Sequence, residues 1–485
     1  MGLHSRFASL RTAIVSRVTV DTRALAAFRI GLGALLLVDL LRRSRDLVAF
    51  HADAGVLPRT TPHPRFQRWV DLSIHALSGE AWVQALLVVL AGIAAVALLV
   101  GYRTKTATLL SFLLLVSIQA RNPLILNAGD TLFRRLLFWS LFLPLGARWS
   151  VDATRSERSR DRIVGWTTAA LLVQVVLVYA VNVVLKFEGD LWTSGLAVRY
   201  VFELDSFTVL LGDYLGEFPA LLALADWVWL GALLCSPLLL VLRGYGRAAV
   251  ATLIATMHLG MALTMQLGIF PLVSVVSLVP FLPPAVWDRL PSPAWDLVGR
   301  VGRLCPRLPR TPTLRTRIRP LGSAVAAVLF AALLVVNAMA LGFVPAPEGT
   351  PEQVTDPSWS MFAPRPPTAD AWFLAPATLA SGERIDALGQ SSLSWDRPPD
   401  PSATYPNERW RKYLWRLAGD GGTSLREPFA QYLCERWNGA HADDIQRLRL
   451  VVVREPTTLD GPESTDRVGL GAFDCATGDD SVTAR

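Results

Sequence analysis

The chain alternates between long apolar blocks and short polar connections that are rich in arginine. Nine blocks reach or approach the length of about 20 residues with which an α-helix crosses a bilayer. Because 52% of the 485 residues are hydrophobic, the pattern predicts an all-α polytopic membrane helix bundle with about nine spans. The predicted spans cover residues 24–41, 82–101, 106–120, 131–146, 165–185, 225–241, 248–265, 269–283 and 322–344.

Two connections are too apolar to be simple loops. Residues 66–77 form an amphipathic pattern, which is typical of a helix that lies along the membrane interface. Residues 186–219 have mixed polarity, and we expect their 192–211 portion to be half-buried or re-entrant rather than fully spanning.

The tail, residues 346–485, changes character and predicts a small soluble α+β domain. Residues 372–388 indicate a β-hairpin that turns at Ser381-Gly382. Residues 425–437 indicate a helix with a Ser424…Glu427 capping box and Gly439 just past its end. Residues 447–453 alternate as a strand does.

Two of the four cysteines, Cys434 and Cys475, lie in this tail. If the tail is outside the cytoplasm, a disulfide between them is expected, and two free buried thiols are the alternative. Cys235 falls in a predicted span and Cys305 in a basic loop. No residue spacing in the sequence predicts a metal site.

The net charge of +7 conceals two regions of opposite sign. From Pro345 onward the tail carries 14 basic and 21 acidic residues, so the rest of the chain is strongly basic. The excess arginine lies in short loops between predicted spans, where it orients a membrane protein, so we expect no nucleic-acid binding.

This charge pattern predicts an orientation in the membrane with a cytoplasmic N-terminus. The arginines of the first outer loop, Arg59, Arg65 and Arg68, are the exception. No cleavage site follows the first span, which predicts an uncleaved helix. The predicted regions are a cytoplasmic segment at 1–22, a transmembrane domain at 23–290, a basic cytoplasmic loop with the last span at 291–345, and an extracytoplasmic α+β domain at 346–485.

The fifth predicted span carries a polar stripe. Tyr179, Asn182 and Lys186 are spaced i, i+3 and i+7, so they share one helix face. The chain has only three lysines, at 105, 186 and 412, and uses arginine for every other cation. Lysine differs from arginine in that burial can remove its charge and make it a base. The alternative is a lysine that extends its ammonium into the headgroup region.

His258 lies in the middle of the seventh predicted span. An ionisable group at that depth is a candidate site residue, although a core histidine bonded to a neighbouring carbonyl is the alternative. We predict that spans five and seven place Lys186 and His258 around one cavity, with Gln266 at its mouth.

Two further groups of residues lie near predicted span ends. Arg121 and Asp130, at the ends of spans three and four, predict a structural ion pair. Trp192, in the turn after Lys186, would either cap a substrate or act as an interfacial anchor.

Short stretches in a fixed order resemble the HTTM (horizontally transferred transmembrane) domain family, whose membrane domain is related to vitamin K-dependent gamma-glutamyl carboxylase. The resemblance covers about residues 20–290. It rests on Phe28-Arg-Ile-Gly-Leu-Gly with Asp39, Asp53-Ala-Gly-Val-Leu-Pro58, Arg121-Asn-Pro with Gly129-Asp130, Leu143-Pro-Leu-Gly, Trp149-Ser-Val-Asp152, the stretch from Tyr179 through Lys186 and Trp192 to Gly195, and His258 with Leu267-Gly-Ile-Phe-Pro271 and Phe281-Leu-Pro-Pro. The tail's Trp359-Ser-Met-Phe-Ala-Pro364 resembles bacterial members.

The resemblance implies a quinol-dependent, carboxylase-like enzyme. Lys186 would be the base that deprotonates vitamin K hydroquinone or menaquinol, and His258 would hydrogen-bond the quinol oxygen. Tyr179, Asn182, Trp192 and Gln266 would contact substrate, and the spans would supply an apolar groove.

The chain also departs from the carboxylase pattern. A histidine expected near the start of span four is replaced by Ala128-Gly129-Asp130, and a shorter tail replaces the large lumenal region. The alternative function is therefore a non-catalytic membrane scaffold or lipid-binding protein that presents its external domain to a peptide or protein partner.

Overall fold

A computed structural model describes residues 3–61, 70, 73–155, 161–289, 315–350, 359–459, 461 and 463–475. Half of the predicted interfacial piece at 66–77 and most of the basic loop at 287–320 lie outside the described residues, as do Arg65, Arg68 and Cys305. The described end of the interfacial piece forms a single 3-10 turn, Ile74–Ala76. The first part of the chain folds into the helices α1 Leu3–Val18, α2 Thr22–Arg45, α3 Leu47–His51, α4 Ala81–Val100, α5 Thr104–Arg121, α6 Ala128–Ser140, α7 Trp166–Phe187, α8 Asp190–Thr193, α9 Ala197–Phe202, α10 Leu211–Gly216, α11 Pro219–Leu234, α12 Leu238–Val241, α13 Gly244–Thr264, α14 Phe270–Leu278, α15 Pro284–Trp287 and α16 Arg315–Ala340.

Four helices of the described chain are long and apolar enough to cross a membrane, namely α2, α4, α7 and α13, with 20 to 24 residues each. Apolar stretches within α11, α14 and α16 are shorter. The predicted fourth span is a 13-residue helix, α6, which carries Arg134 and Arg135 in its middle. The chain is therefore a helical membrane protein, and the prediction of about nine spans is not confirmed.

The helix α7 lies at the centre of the bundle. It packs against α6, α11 and α16, and both its apolar residues and its polar stripe are buried. Elsewhere α2 packs against α4 at very short range, because a Cβ added at Gly33 would lie 2.8 Å from the backbone nitrogen of Leu99. The central position of α7 places its polar face inside the protein.

The segment after α7 turns back on the bundle through the three short helices α8, α9 and α10. Trp192 on α8 and Ala197 on α9 are buried against Leu230 of α11. This arrangement agrees with the predicted half-buried character of residues 192–211.

The C-terminal region forms an antiparallel sheet covered by two helices. Its elements are β3 Ala369–Leu374, β4 Pro376–Leu379, β5 Arg384–Asp386, β6 Ser391–Ser392, α17 Glu408–Ala418, α18 Thr423–Asn438, β7 Ile445–Pro456 and β8 Asp466–Asp474, numbered after the short pair β1 Val20–Asp21 and β2 Arg162–Ile163. β3 and β4 pair one after the other with β7, and β8 also pairs with β7. Leu374 faces Val451 and Ala377 faces Leu448 in this register.

Most predictions for the tail are confirmed. The hairpin turns at Ser381-Gly382, where Gly382 has φ +88°, and Cys434 and Cys475 form a disulfide with their Cα atoms 5.7 Å apart. The Ser424…Glu427 capping box is wrong, because α18 begins two residues earlier than predicted, after Gly422, and has no side-chain cap. The helix α17 was not predicted.

A buried ion cluster fastens α17 to the membrane helices. Arg409 Nη2 lies 2.7 Å from Asp39 Oδ1, Arg43 Nε lies 2.8 Å from Asp39 Oδ2, and Arg43 Nη2 lies 2.6 Å from Asp130 Oδ1. All four side chains are at most 5% exposed. Because each carboxylate contacts a guanidinium, the cluster avoids the cost of an unpaired buried charge.

The predicted pair between Arg121 and Asp130 does not form. Asp130 bonds Arg43 and caps α6 together with Asn127. Arg121 instead donates to the Leu57 carbonyl oxygen at 3.0 Å and contacts Asp53 Oδ1 at 3.3 Å. Each residue has a partner in a distant part of the chain, Arg121 in the loop after α3 and Asp130 in α2, and the sequence spacing does not reveal either.

We predict that Arg409→Met destabilises the folded protein by about 3 kcal/mol, because it leaves the buried Asp39 and Asp130 to share the single Arg43. The matched control is Arg447→Met, since Arg447 and Asp474 form an ion pair that is 69% and 73% exposed. That change should cost under about 1 kcal/mol. Thermal unfolding of both variants in detergent measures the difference, and equal losses would contradict it.

Candidate functional site

A cavity of about 1070 Å³ lies beside the polar face of α7. It is lined by α11, α13 and α14 of the bundle, by residues 360–363 and by α17 of the C-terminal region. Its walls are mostly apolar and include Val198, Trp229, Met257, Met261 and Phe270. Apolar walls with a few convergent polar groups are typical of a small-molecule site.

The polar stripe of α7 faces this cavity. Tyr179, Asn182 and Lys186 are each 2% exposed, and all three line the cavity wall. Asn182 Nδ2 donates to the carbonyl oxygens of Trp359 at 2.8 Å and Met361 at 3.2 Å. The helical spacing therefore brings the three side chains together, as the sequence predicted.

The Lys186 amine is held by two groups of different kinds. Its Nζ lies 3.4 Å from the Met361 carbonyl oxygen and 3.0 Å from the centre of the Trp192 ring. The ring face carries partial negative charge and stabilises a cation. Within the described chain no carboxylate forms an ion pair with Lys186. The side chain is almost fully buried within the protein.

Trp192 is itself fixed in orientation. Its Nε1–H donates to the Phe362 carbonyl oxygen at 2.8 Å, and its ring packs on Ala197 and Leu230. The indole therefore presents its face to Lys186 and its edge to the C-terminal region.

His258 lines the same cavity, fully buried, with its ring between those of Tyr179, Trp229 and Phe270. Its Nδ1 lies 2.8 Å from the Ile254 carbonyl oxygen, which can only accept, so Nδ1 carries the proton. The neutral ring then leaves Nε2 as an acceptor, and Nε2 has no partner among the described residues. Nδ1 thus bonds the helix backbone, and Nε2 is available to accept a hydrogen bond from a ligand.

Gln266 lies behind the cavity wall rather than in it. Arg411, which does line the cavity, donates to the Gln266 backbone oxygen at 2.7 Å and approaches its side-chain oxygen at 3.4 Å. Arg121 and Asp130 do not line the cavity either. Of the predicted site residues, the structure brings Lys186, His258, Tyr179, Asn182 and Trp192 together.

Sequence reasoning missed the contribution of α17. Its residues Glu408, Arg411, Lys412, Trp415 and Arg416 line the cavity. Two of the chain's three lysines therefore line one cavity, a signal that the rarity of lysine already offered. Burial lowers the pKa of the Lys412 amine below its usual value, and the nearby Arg416 lowers it further.

Asp226 was also missed. It is fully buried on α11, next to the wall residue Ala225, and its Oδ2 accepts from the Val198 N–H at 3.2 Å. Its Oδ1 has no partner among the described residues. An acidic residue inside an apolar helix is a signal that the sequence contained.

The sequence profile of the HTTM domain matches residues 18–287, more than half of the chain. The chain belongs to the HTTM domain family. This is the family of membrane proteins related to vitamin K-dependent carboxylase. The HTTM match includes α7 and α13, with Lys186 and His258, and ends before the C-terminal region that closes the cavity. Comparison with curated proteins and with solved structures finds no match.

We predict that Lys412→Met stabilises this HTTM protein at neutral pH and raises its melting temperature by about 1 to 3 °C. The pKa of Lys412 is lower in the folded protein than in the unfolded chain, where it has the usual lysine value of about 10.4. Below that pH the unfolded chain binds the Lys412 proton more tightly than the folded protein does, which favours unfolding. The advantage of the methionine should therefore shrink as the pH rises toward that value. Melting curves from pH 7 to 10 test this.

The control is Lys105→Met, because Lys105 is exposed. Its effect should be small and should not vary with pH in that window. A Lys412→Met protein less stable than wild type at neutral pH would contradict the assignment of Lys412 as a cation kept at a cost in stability.

Proposed function

We propose that the protein is a quinol-dependent, carboxylase-like membrane enzyme with Lys186 as its general base and His258 as a ligand to the quinol. The observation that carries the proposal is convergence. A buried lysine from α7 and a buried histidine nitrogen from α13 line one largely apolar cavity. Family membership adds the expectation of carboxylase-related chemistry.

The cavity suits a reduced quinone such as menaquinol or vitamin K hydroquinone. Its volume is slightly above the range of about 300–1,000 Å³ found for small-molecule sites. The rings of Trp229 and Phe270 and the thioethers of Met257 and Met261 offer flat and adaptable apolar surface. The unpartnered Nε2 of His258 matches the need of a hydroxyl group for an acceptor.

In this proposal the chain's own residues move and hold one proton. The quinol supplies electrons and a hydroxyl proton when it is bound. The neutral amine of Lys186 accepts that proton at Nζ and becomes an ammonium. The Trp192 face and the Met361 carbonyl oxygen then stabilise the new charge, because both favour a cation. His258 Nε2 accepts a hydrogen bond from a hydroxyl group and orients the ring.

The remaining groups divide into apolar containment and polar positioning. Tyr179 contacts the His258 ring at 5.7 Å between centroids and so fixes its plane. Asn182 keeps the backbone of residues 359–361 against α7. We further propose that the cavity end that carries α17 faces the outside of a bacterial plasma membrane, as the acidic tail and the basic loops favour.

A non-catalytic scaffold remains the alternative. A scaffold does not need a buried lysine and an acceptor nitrogen in one cavity, and each such group reduces stability unless it is partnered. The cavity therefore favours the enzyme. A lipid-binding protein would use the same apolar walls without depending on Lys186.

We predict that Lys186→Met and Lys186→Arg each lower the rate of oxygen-dependent menaquinol oxidation at least about 100-fold, the usual range for loss of a general base. Methionine preserves the length of the side chain without a base, and arginine preserves the charge but does not release it. The measurement is chromatography of quinol and its oxidised products after incubation of purified protein in lipid nanodiscs with oxygen.

Lys105→Arg is the matched control and should keep the wild-type rate, because Lys105 lies outside the cavity. A Lys186→Arg protein that oxidises menaquinol at the wild-type rate would remove Lys186 from the mechanism. Absence of quinol oxidation in the wild type, with tight binding of lipid unaffected by both variants, would favour the scaffold.

A further inference from the structure

Residues 359–364, Trp-Ser-Met-Phe-Ala-Pro, form a strap between α16 and the C-terminal sheet. We propose that this strap is the positioning element of the site, holding Lys186, Asn182 and Trp192 in place with its backbone carbonyl groups. The strap lies beyond the matched HTTM domain, so the C-terminal region would be a necessary part of the site.

Three side-chain donors meet three strap carbonyl groups. Asn182 Nδ2 donates to Trp359 O and Met361 O, Lys186 Nζ approaches Met361 O at 3.4 Å, and Trp192 Nε1 donates to Phe362 O at 2.8 Å. Buried donors of this kind are costly when they lack acceptors. Since carbonyl groups of the strap serve all three, moving the strap would release the three side chains together.

The strap is anchored at both ends. The Trp359 side chain is fully buried in the core of the membrane helices, with the Arg135 guanidinium carbon 4.7 Å from its ring centre. The Phe362 ring packs edge-on against Phe207 at 5.6 Å. These contacts fix where the carbonyl groups point, which is the requirement for a positioning element.

The turn after α7 packs closely against the strap at Gly189. A Cβ added at Gly189 would lie only 1.8 Å from the Pro364 carbonyl oxygen, so no other residue fits there without displacing the strap or the turn. Gly189 lies three residues after Lys186 and three residues before Trp192. Gly189 therefore gives a substitution that disturbs the strap without altering any donor.

The geometry predicts a spectroscopic signature that needs no turnover. With Nζ 3.0 Å from the centre of the Trp192 ring, the ε-methylene protons of Lys186 should be shifted upfield by the ring current. Selective ¹³C-lysine labelling of the full chain gives only three lysine signals, and Lys105→Arg and Lys412→Arg assign two of them.

We predict that Gly189→Ala abolishes the upfield displacement and moves the Lys186 signal toward the other two. The control Gly92→Ala should leave it unchanged, because nothing lies within 4 Å of a Cβ at Gly92. Asn182→Leu is a second, independent perturbation that removes two bonds to the strap without adding bulk, and the same loss is expected. Melting curves identify any variant that does not fold.

Retention of the upfield signal in a folded Gly189→Ala or Asn182→Leu protein would overturn the proposal, as would its absence in the wild type. The relevance of the strap to catalysis rests on the proposed function, but this readout does not. If the signal behaves as predicted while the wild type oxidises no quinol, the strap stands and the proposed reaction fails.

Discussion

The site depends on keeping one amine buried among apolar helices with no carboxylate of the described chain in direct ion-pair contact with it. Water stabilises an exposed ammonium ion, and removal from water costs several kcal/mol unless other groups compensate. In this protein an indole face and one carbonyl oxygen surround Lys186. A carboxylate attracts a cation over a longer distance than an indole face or a carbonyl oxygen does. These two groups must therefore be held in fixed positions close to the amine.

That requirement explains why the two parts of the chain are joined so firmly. The strap and α17 come from the C-terminal region, whereas Lys186 and His258 come from the bundle. The cluster of Asp39, Arg43, Asp130 and Arg409 fixes α17, and apolar packing extends this contact, since Phe50 of α3 packs against Trp410 at 4.6 Å between ring centroids. A loosely tethered tail could not hold carbonyl groups within hydrogen-bond distance of α7.

The sequence predicted the wall of the cavity that α7 forms, but not the wall that α17 forms. The spacing of Tyr179, Asn182 and Lys186 is a local property of one helix, so it identified the polar face directly. The helix α17 reads Glu-Arg-Trp-Arg-Lys-Tyr-Leu-Trp-Arg-Leu-Ala, which resembles a solvated charged surface. Its cations are buried only because another part of the chain lies against them. The missed partners of Arg121 and Asp130 have the same cause, because they lie in segments far away in sequence.

The extent of the HTTM match divides the site between two parts of the chain. The matched residues 18–287 contain the donors Asn182, Lys186 and Trp192 but not their strap acceptors. On its own the matched domain would leave three buried donors unsatisfied, at about 1–3 kcal/mol each, so it would have to rearrange or find other acceptors. The matched membrane domain supplies Lys186 and the bundle's part of the cavity, and the region that follows it supplies the carbonyl groups that hold the amine in place.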